Sequence, residues 1–197
     1  MKPLATRLFL VRHGQSTWND ARRIQGQLDP PLSALGVEQA RRLAERMGGR
    51  TFDGFYTSDL ARANETAEII AGRLGVPVVV DAELREIDVG EWQGLTWPEI
   101  EERFPDGVRN WHERGHGWER GETYDALGER VVRALGRIGA EHPAGRILIV
   151  GHGGTVRSVR ALIEGRSVAQ SRLESPAIGN CEVFRIGAEN GTFRRLD

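Results

Sequence analysis

Two stretches of the chain are apolar at every position. Leu8-Phe9-Leu10-Val11, led by Arg7, is broken by Arg12-His13-Gly14, and Ile147-Leu148-Ile149-Val150, led by Arg146, is broken by Gly151-His152-Gly153-Gly154. Short runs that are apolar on both faces are the signature of strands buried in a parallel sheet. Between them the period changes to that of helices. Ala40, Leu43, Ala44 and Met47 form one stripe behind an N-cap at Ser33, ended by Gly48-Gly49. Ala63, Ala67, Ile70 and Leu74 form a second, over 59–74 with Gly75 as the stop. Leu127, Val131, Ala134, Leu135 and Ile138 form a third, over 124–141, closed by Pro143. A strand is predicted at 55–57, another fully apolar one at Val76–Val80, and a last one at Cys181–Ile186; a helix is predicted at Thr155–Ile163. Thr96-Trp97-Pro98-Glu99 has the capping-box spacing, so a short helix runs from there to Phe104, and 105–122 reads as irregular. Strands alternating with amphipathic helices specify an α/β protein with a doubly wound, mainly parallel sheet and helices on both faces. We expect a single domain over 1–197, with residues 87–122 as a small lid.

Composition narrows the function. With 197 residues, 39% hydrophobic and 28% charged, the chain has the balance of a folded globular protein. Its net charge of −1 offers no global field for nucleic acid or an anionic membrane, so any anion must be bound by a local arrangement. The single cysteine, Cys181, allows neither an intrachain disulfide nor a multi-cysteine zinc site. The apolar run at the start is too short for a signal-peptide core, and no stretch has the ~20 apolar residues of a membrane helix. The expectation is a cytoplasmic enzyme that binds neither nucleic acid nor membrane. The oligomeric state stays open, a homodimer being one option.

In open parallel sheets, ligands sit at the carboxyl ends of the strands. Both of the best strands end there in a histidine flanked by glycine, and glycine lets backbone N–H groups approach a ligand. One such histidine means little; two in matching positions point to a site. Arginines are adjacent: Arg12 beside His13, and Arg62 in the first turn of the helix in SDLARANETA. Their planar forks suit a phosphate, and a helix start is where an anion binds. A neutral imidazole can attack phosphorus, and an acid is then needed to protonate the departing oxygen. Glu86, Asp88 and Glu91 are all local candidates, and the chemistry alone does not choose among them.

These residues fall into a four-part pattern: Val11-Arg12-His13-Gly14-Gln15-Ser16 with Asn19; Ser58-Asp59-Leu60-Ala61-Arg62-Ala63 with Thr66-Ala67; Leu84-Arg85-Glu86 with Gly90 and Trp92; and Gly151-His152-Gly153-Gly154. The pattern spans nearly the whole chain and resembles the histidine phosphatase superfamily, in particular its phosphoglycerate mutase-like branch. The resemblance implies His13 as phosphorylated nucleophile, Arg12, Arg62 and His152 as the phosphate pocket, and Glu86 as proton donor. It also implies substrate or phosphate contacts at Asn19, Gln25, Gly26 and Gly153. It assigns nothing to Asp88, and Ser16 stands where threonine is common. Mutases of this branch carry a longer insertion over the site, and only residues 87–123 lie between Glu86 and the next long helix. Hydrolysis of a small phosphate monoester is therefore expected, with no metal and no cofactor. Within the branch, GEWQGLT and RRIQGQLDPPLSALG resemble broad-specificity, alpha-ribazole and glucosyl-3-phosphoglycerate phosphatases.

Three other readings compete: a phosphoglycerate mutase primed by 2,3-bisphosphoglycerate, a phosphate-binding module without catalysis, and a metallohydrolase. Retention of His13, His152, both arginines and Glu86 opposes the second, and the lack of an HxH or HExxH spacing opposes the third. Residues 92–118 hold Trp92, Trp97, Trp111 and Trp118 with Arg103, Arg109, Arg114, His112 and His116. They are expected either to pack on themselves with charges facing solvent, or to form a substrate-selecting wall with an arginine meeting a second acidic group.

Overall fold

Strand β1 (Thr6–Arg12) sends alternate side chains into two different cores. Leu8 and Leu10 pack on one face with Ile147 and Ile149 of β4 (Arg146–Gly151), while Phe9 and Val11 pack on the other with Leu148 and Val150. Both faces are covered, which is why 8–11 and 147–150 are apolar at every position. The computed structural model describes residues 5–176, 178–189 and 191–196, with the backbone alone at 173 and 174.

Strands β2 (Gly54–Thr57), β3 (Val79–Val80), β5 (Val183–Glu189) and β6 (Thr192–Arg195) complete a six-stranded sheet in the order β3-β2-β4-β1-β5-β6. The first four strands in that order are parallel; β5 and β6 are antiparallel to their neighbours. Helices α2 (Ala34–Met47) and α3 (Ala61–Leu74) cover one face through Ala40, Leu43, Ala63, Ala67 and Ile70. Helices α6 (Tyr124–Glu141) and α7 (Gly153–Glu164) cover the other through Leu127, Val131, Leu135, Val156 and Val159. This is the α/β architecture that the alternation of strands and helices specifies. Ser33 caps α2 by accepting from the Gly36 N–H at 3.1 Å, and Gly75 ends α3 in the left-handed region at φ 67°.

Two expectations need correction. The run Val76–Val80 yields only the two-residue β3, whose valines are 49% and 52% exposed. It lies at the sheet edge with β2 as its one sheet neighbour among the described residues, and Val76 and Val78 are only partly buried against the core. The stretch 105–122 is not wholly irregular, because Pro105–Arg114 forms a helix. It follows a helix at Trp97–Arg103 that starts with the expected Thr96–Glu99 capping box, so the two are α4 and α5 in chain order. The short α1 (Thr17–Asp20), α8 (Val168–Glu174) and β6 carry too few periodic positions to be read from sequence. Among the described residues, no helix is long and apolar enough to cross a membrane.

Candidate active site

Strand register brings the two histidines together. In the parallel β1–β4 pair, Val11 stands opposite Val150 and Arg12 opposite Gly151, so each strand delivers its next residue to the same point. The His13 N–H donates to the Gly151 carbonyl at 3.0 Å, and the ring centroids of His13 and His152 lie 5.2 Å apart. Both rings are buried.

Each histidine is held neutral, and His13 is also oriented. Burial, then the Arg62 charge, drives the His13 pKa down to about 3, partly opposed by the Gly14 hydrogen bond. A ring neutral at pH 7 carries one N–H, and Nδ1 lies 2.6 Å from the Gly14 carbonyl, an acceptor only. That fixes the proton on Nδ1 and leaves the lone pair on Nε2. Burial, then Arg62 and His13, lowers His152 well below the ordinary histidine value. Its Nε2 has no hydrogen-bond partner among the described residues.

Arg62 enters from the first turn of α3, immediately past the end of β2, and is completely buried. Its guanidinium donates to the carbonyls of Leu28 at 2.9 Å and Gly26 at 2.7 Å, which set its plane. Burial lowers its pKa to about 10, so it remains cationic at neutral pH. Arg12 donates to the Ile178 carbonyl at 2.8 Å. The Nε atoms of both arginines are buried without partners among the described residues. Buried donors are normally satisfied, so the two unpartnered guanidinium Nε–H groups mark a place for an oxyanion, in a cleft that Arg12 and Arg62 line together with His13.

Glu86 lies across this space. Both of its carboxylate oxygens accept from the Gly154 N–H, at 3.1 and 3.2 Å, and Oε1 also accepts from Ile87. A Cβ on Gly154 would collide with Glu86 Oε1, which explains the last glycine of the motif. The structure separates the three carboxylates that the sequence left level. Asp88 accepts from the Gly90 N–H, and Glu91 accepts from the N–H groups of Glu119 and Arg120, so both hold backbone turns. Glu86 lines the cleft.

That cleft, about 240 Å³, is also lined by Arg12, His13, Asn19, Gln25, Gly26 and Arg62. Asn19 and Gln25 are positioned by Ser16: Asn19 Oδ1 accepts from its N–H, and Gln25 Oε1 accepts from its hydroxyl at 2.7 Å. Gly26 (φ 52°) leaves no room for a Cβ against Gln93. His152 sits behind the lining. Gly153 is beside it, at the start of α7, facing Glu86 Oε2 and Arg12 Nε.

A family model for the histidine phosphatase superfamily (branch 1) matches residues 8–196. The chain belongs to the histidine phosphatase superfamily. It is 38% identical to a metal-independent phosphoserine phosphatase of Arabidopsis thaliana, over 86% of this chain and 74% of that one. It is likewise 38% identical to a probable phosphoglycerate mutase, GpmB, of Klebsiella pneumoniae subsp. pneumoniae, over 91% and 83%. The solved structure of Bacillus stearothermophilus YhfR superposes with a TM-score of 0.90 at 33% identity, covering 97% of this chain and 95% of that one. The chain is thus an enzyme of the histidine phosphatase type, a hydrolase.

Several contacts of this histidine phosphatase site escaped sequence reasoning. Thr66 accepts from the Gly14 N–H at 3.0 Å and donates to the Arg62 carbonyl at 2.7 Å, tying both motifs together. Arg130 on α6 grips the Glu86 segment by its backbone, donating to the carbonyls of Glu83 and Arg85 at 2.7 and 2.9 Å while pairing with Glu122 at 2.6 Å. It stands on an amphipathic helix where any arginine reads as surface, and only the fold reveals its partners. The tryptophans pack on themselves, as one of the two expectations had it, and they also line the cleft. Trp92, Trp97, Trp111 and Trp118 pack on one another, with Trp97 and Trp111 centroids 4.8 Å apart, and all four line the cleft. Arg103, Arg109 and Arg114 are exposed, so none of them is the arginine of a selecting wall. Among the described residues, no three His, Cys, Asp or Glu side chains cluster as a metal site.

Proposed function

We propose that this chain hydrolyses small phosphate monoesters through a phosphohistidine on His13, with no metal or cofactor, as a cytoplasmic single-domain enzyme whose residues 87–122 form a small lid. The observation that supports it best is the His13 tautomer: a neutral ring anchored through Nδ1, its Nε2 lone pair directed among unpartnered cationic donors. In the first step Nε2 forms a bond to phosphorus, the bond from phosphorus to the ester oxygen breaks, and Glu86 gives that oxygen a proton. Arg12, Arg62 and His152 stabilise charge on the three equatorial oxygens, the task that divalent ions perform in kinases. In the second step water attacks phosphorus, Glu86 takes its proton, the bond to Nε2 breaks, and inorganic phosphate leaves. Asn19, Gln25, Gly26 and Gly153 shape the pocket around the transferring group.

A rapid quench with labelled phosphate ester should trap base-stable, acid-labile label on His13, and His13→Ala should abolish both label and turnover. Turnover should persist in EDTA. Label on serine or aspartate, or activity that needs an added divalent ion, would overturn the mechanism. The mutase alternative, carried by the names of some relatives, predicts isomerisation of phosphoglycerate on adding 2,3-bisphosphoglycerate; under this proposal the product is inorganic phosphate.

A further inference from the structure

Glu86 lies in neither a strand nor a helix. It follows the short helical turn Ala82–Leu84 and immediately precedes the segment 87–122 proposed above as a lid. That segment closes on itself as soon as it has begun. The Glu122 N–H donates to the Asp88 carbonyl at 2.7 Å, and the Trp118 indole donates to the Glu122 carbonyl at 3.0 Å. A Cβ on Gly121 would collide with the Asp88 carbonyl, and one on Gly90 with that of Arg120. The base of the lid is therefore pinned beside the chain that carries the proton donor.

Arg130 of α6 joins that base to the residues before it. Its Nη1 donates to the carbonyls of Glu83 at 2.7 Å and Arg85 at 2.9 Å, and its Nη2 to that of Glu86 at 3.4 Å. Nε and Nη2 donate to the two carboxylate oxygens of Glu122, at 2.9 and 2.6 Å. A guanidinium has five N–H donors, and these five bonds use every one of them. Both side chains of the ion pair are largely shielded, at 16% and 15% exposed, and the pairing is bidentate, so it is not one of the loose surface pairs that contribute little. Three of the acceptors are backbone carbonyls at and just before Glu86, so the fork fixes the path of the main chain there and not only a charge. Arg130 itself does not line the cleft.

We infer that Arg130 is a positioning residue for the proton donor, holding Glu86 at the ester oxygen by clamping its backbone and the base of the lid together. This rests on the phosphatase reading above, with Glu86 as its acid. Losing the clamp frees the 83–86 backbone, and a displacement on the order of 1 Å at a reacting group can cost about 10²-fold in rate. His13 and Arg62 stay where their strand and helix ends put them, so the phosphoryl group is bound and attacked as before.

The signature is selectivity for the leaving group. Arg130→Gln and Arg130→Lys should each lower single-turnover rates on glycerol 3-phosphate by about 10- to 100-fold. On 4-nitrophenyl phosphate, whose phenolate leaves without a proton, the loss should stay below about threefold. Lysine keeps the positive charge, which also helps to lower the His152 pKa, but an ammonium with three donors cannot reproduce the planar fork. A selective loss in the lysine variant therefore reads geometry. Glu122→Gln, which leaves the three carbonyl contacts in place, should show a smaller loss of the same kind, and it carries the comparison with Arg130→Lys if Arg130→Gln does not fold. Added to Glu86→Gln, Arg130→Lys should cost nothing further on the alkyl ester, because a residue that acts through Glu86 has nothing left to act on. Equal losses on both esters, losses that add to that of Glu86→Gln, or full alkyl activity in Arg130→Lys overturn the assignment and make Arg130 a structural staple. Labelling of His13 by 4-nitrophenyl phosphate separates this from the parent reading. A labelled wild type with a selective Glu86→Gln and an unselective Arg130→Lys refutes the clamp alone. An unlabelled, inactive wild type refutes the phosphatase mechanism, an unselective Glu86→Gln refutes the acid, and the clamp falls with either.

Discussion

The two ends of the cleft are built by different means. At the phosphate end His13, Arg62 and His152 sit within a residue or two of a strand terminus or helix start, Glu86 follows a short turn, and backbone groups orient three of these side chains: Gly14 for His13, Gly26 and Leu28 for Arg62, Gly154 for Glu86. At the other end the parts come from distant elements, and the rings are arranged largely by packing on one another, with backbone carbonyls accepting from Trp118 and Arg172. Trp92 follows a turn, Trp97 and Trp111 lie on α4 and α5, Tyr124 on α6 and Arg172 on α8. Backbone-anchored groups must keep their places for any substrate to react. Groups packed mainly on one another can be exchanged to suit the alcohol. Under the proposed function, one end serves the reaction and the other the choice of substrate.

The largest effect that tests this division is expected at Arg62. Arg62→Ala should lower kcat on the order of 10³-fold, as loss of a transition-state arginine does in phosphoryl transfer. The loss should be similar on alkyl and aryl esters, because the phosphoryl group is common to both. Near-UV circular dichroism at the assay temperature separates this from unfolding, since the substitution also leaves the Gly26 and Leu28 carbonyls without their donor. A folded variant within about tenfold of wild type would remove Arg62 from the mechanism.

Glu86 stands at the border between the two ends, and its effect should depend on the alcohol. Glu86→Gln keeps the size of the side chain and removes the proton. Single-turnover rates on alkyl phosphates should fall ~10²–10⁴-fold, and much less on 4-nitrophenyl phosphate, whose phenolate leaves without a proton. Equal losses on the two would make Glu86 a support for Gly154. If Asp88→Asn or Glu91→Gln shows the selective pattern instead, the acid has been misassigned.

The same contrast explains what could be read from the chain. The apolar runs 8–11 and 147–150 announce β1 and β4 because burial on both faces leaves no other residue type admissible, and the motifs that follow them sit at fixed offsets. His13, Arg62 and His152 were legible for that reason. Glu86 was not separable from Asp88 and Glu91 by chemistry, since three carboxylates within six residues differ only in what their oxygens meet after folding. Val76–Val80 misled because apolar residues at an edge look like those of a core. α5 was hidden because it turns only Val108 and Trp111 toward the core and is otherwise polar. Arg130 and Arg172 had no local signal: the carbonyls of Glu83 and Arg85 lie 47 and 45 residues from Arg130, and that of Trp111 lies 61 from Arg172.

The smallest predicted effect concerns stability, and it too should belong to the phosphate end alone. His13 is held neutral in the folded protein with its pKa near 3, against about 6.5 for the unfolded side chain, and His152 is lowered in the same direction. Between those values the unfolded chain binds protons that the folded protein refuses. Stability is therefore fully present above pH 6.5 and falls as the solution is acidified, by about 1.4 kcal/mol per pH unit for His13 over that window, with His152 adding a loss of the same sign. Carboxylates in ion pairs add a loss of the same sign, which is why the comparison must be made between variants. His13→Gln, which cannot take up a proton, should flatten the pH dependence of the urea midpoint between pH 6 and 4 by about one proton's worth. Arg172→Gln should leave that slope as it is, because arginine is charged in both states across the window. If the arginine variant flattens the slope as much as the histidine variant, the histidines are not the groups that resist protonation, and the neutral nucleophile loses its support.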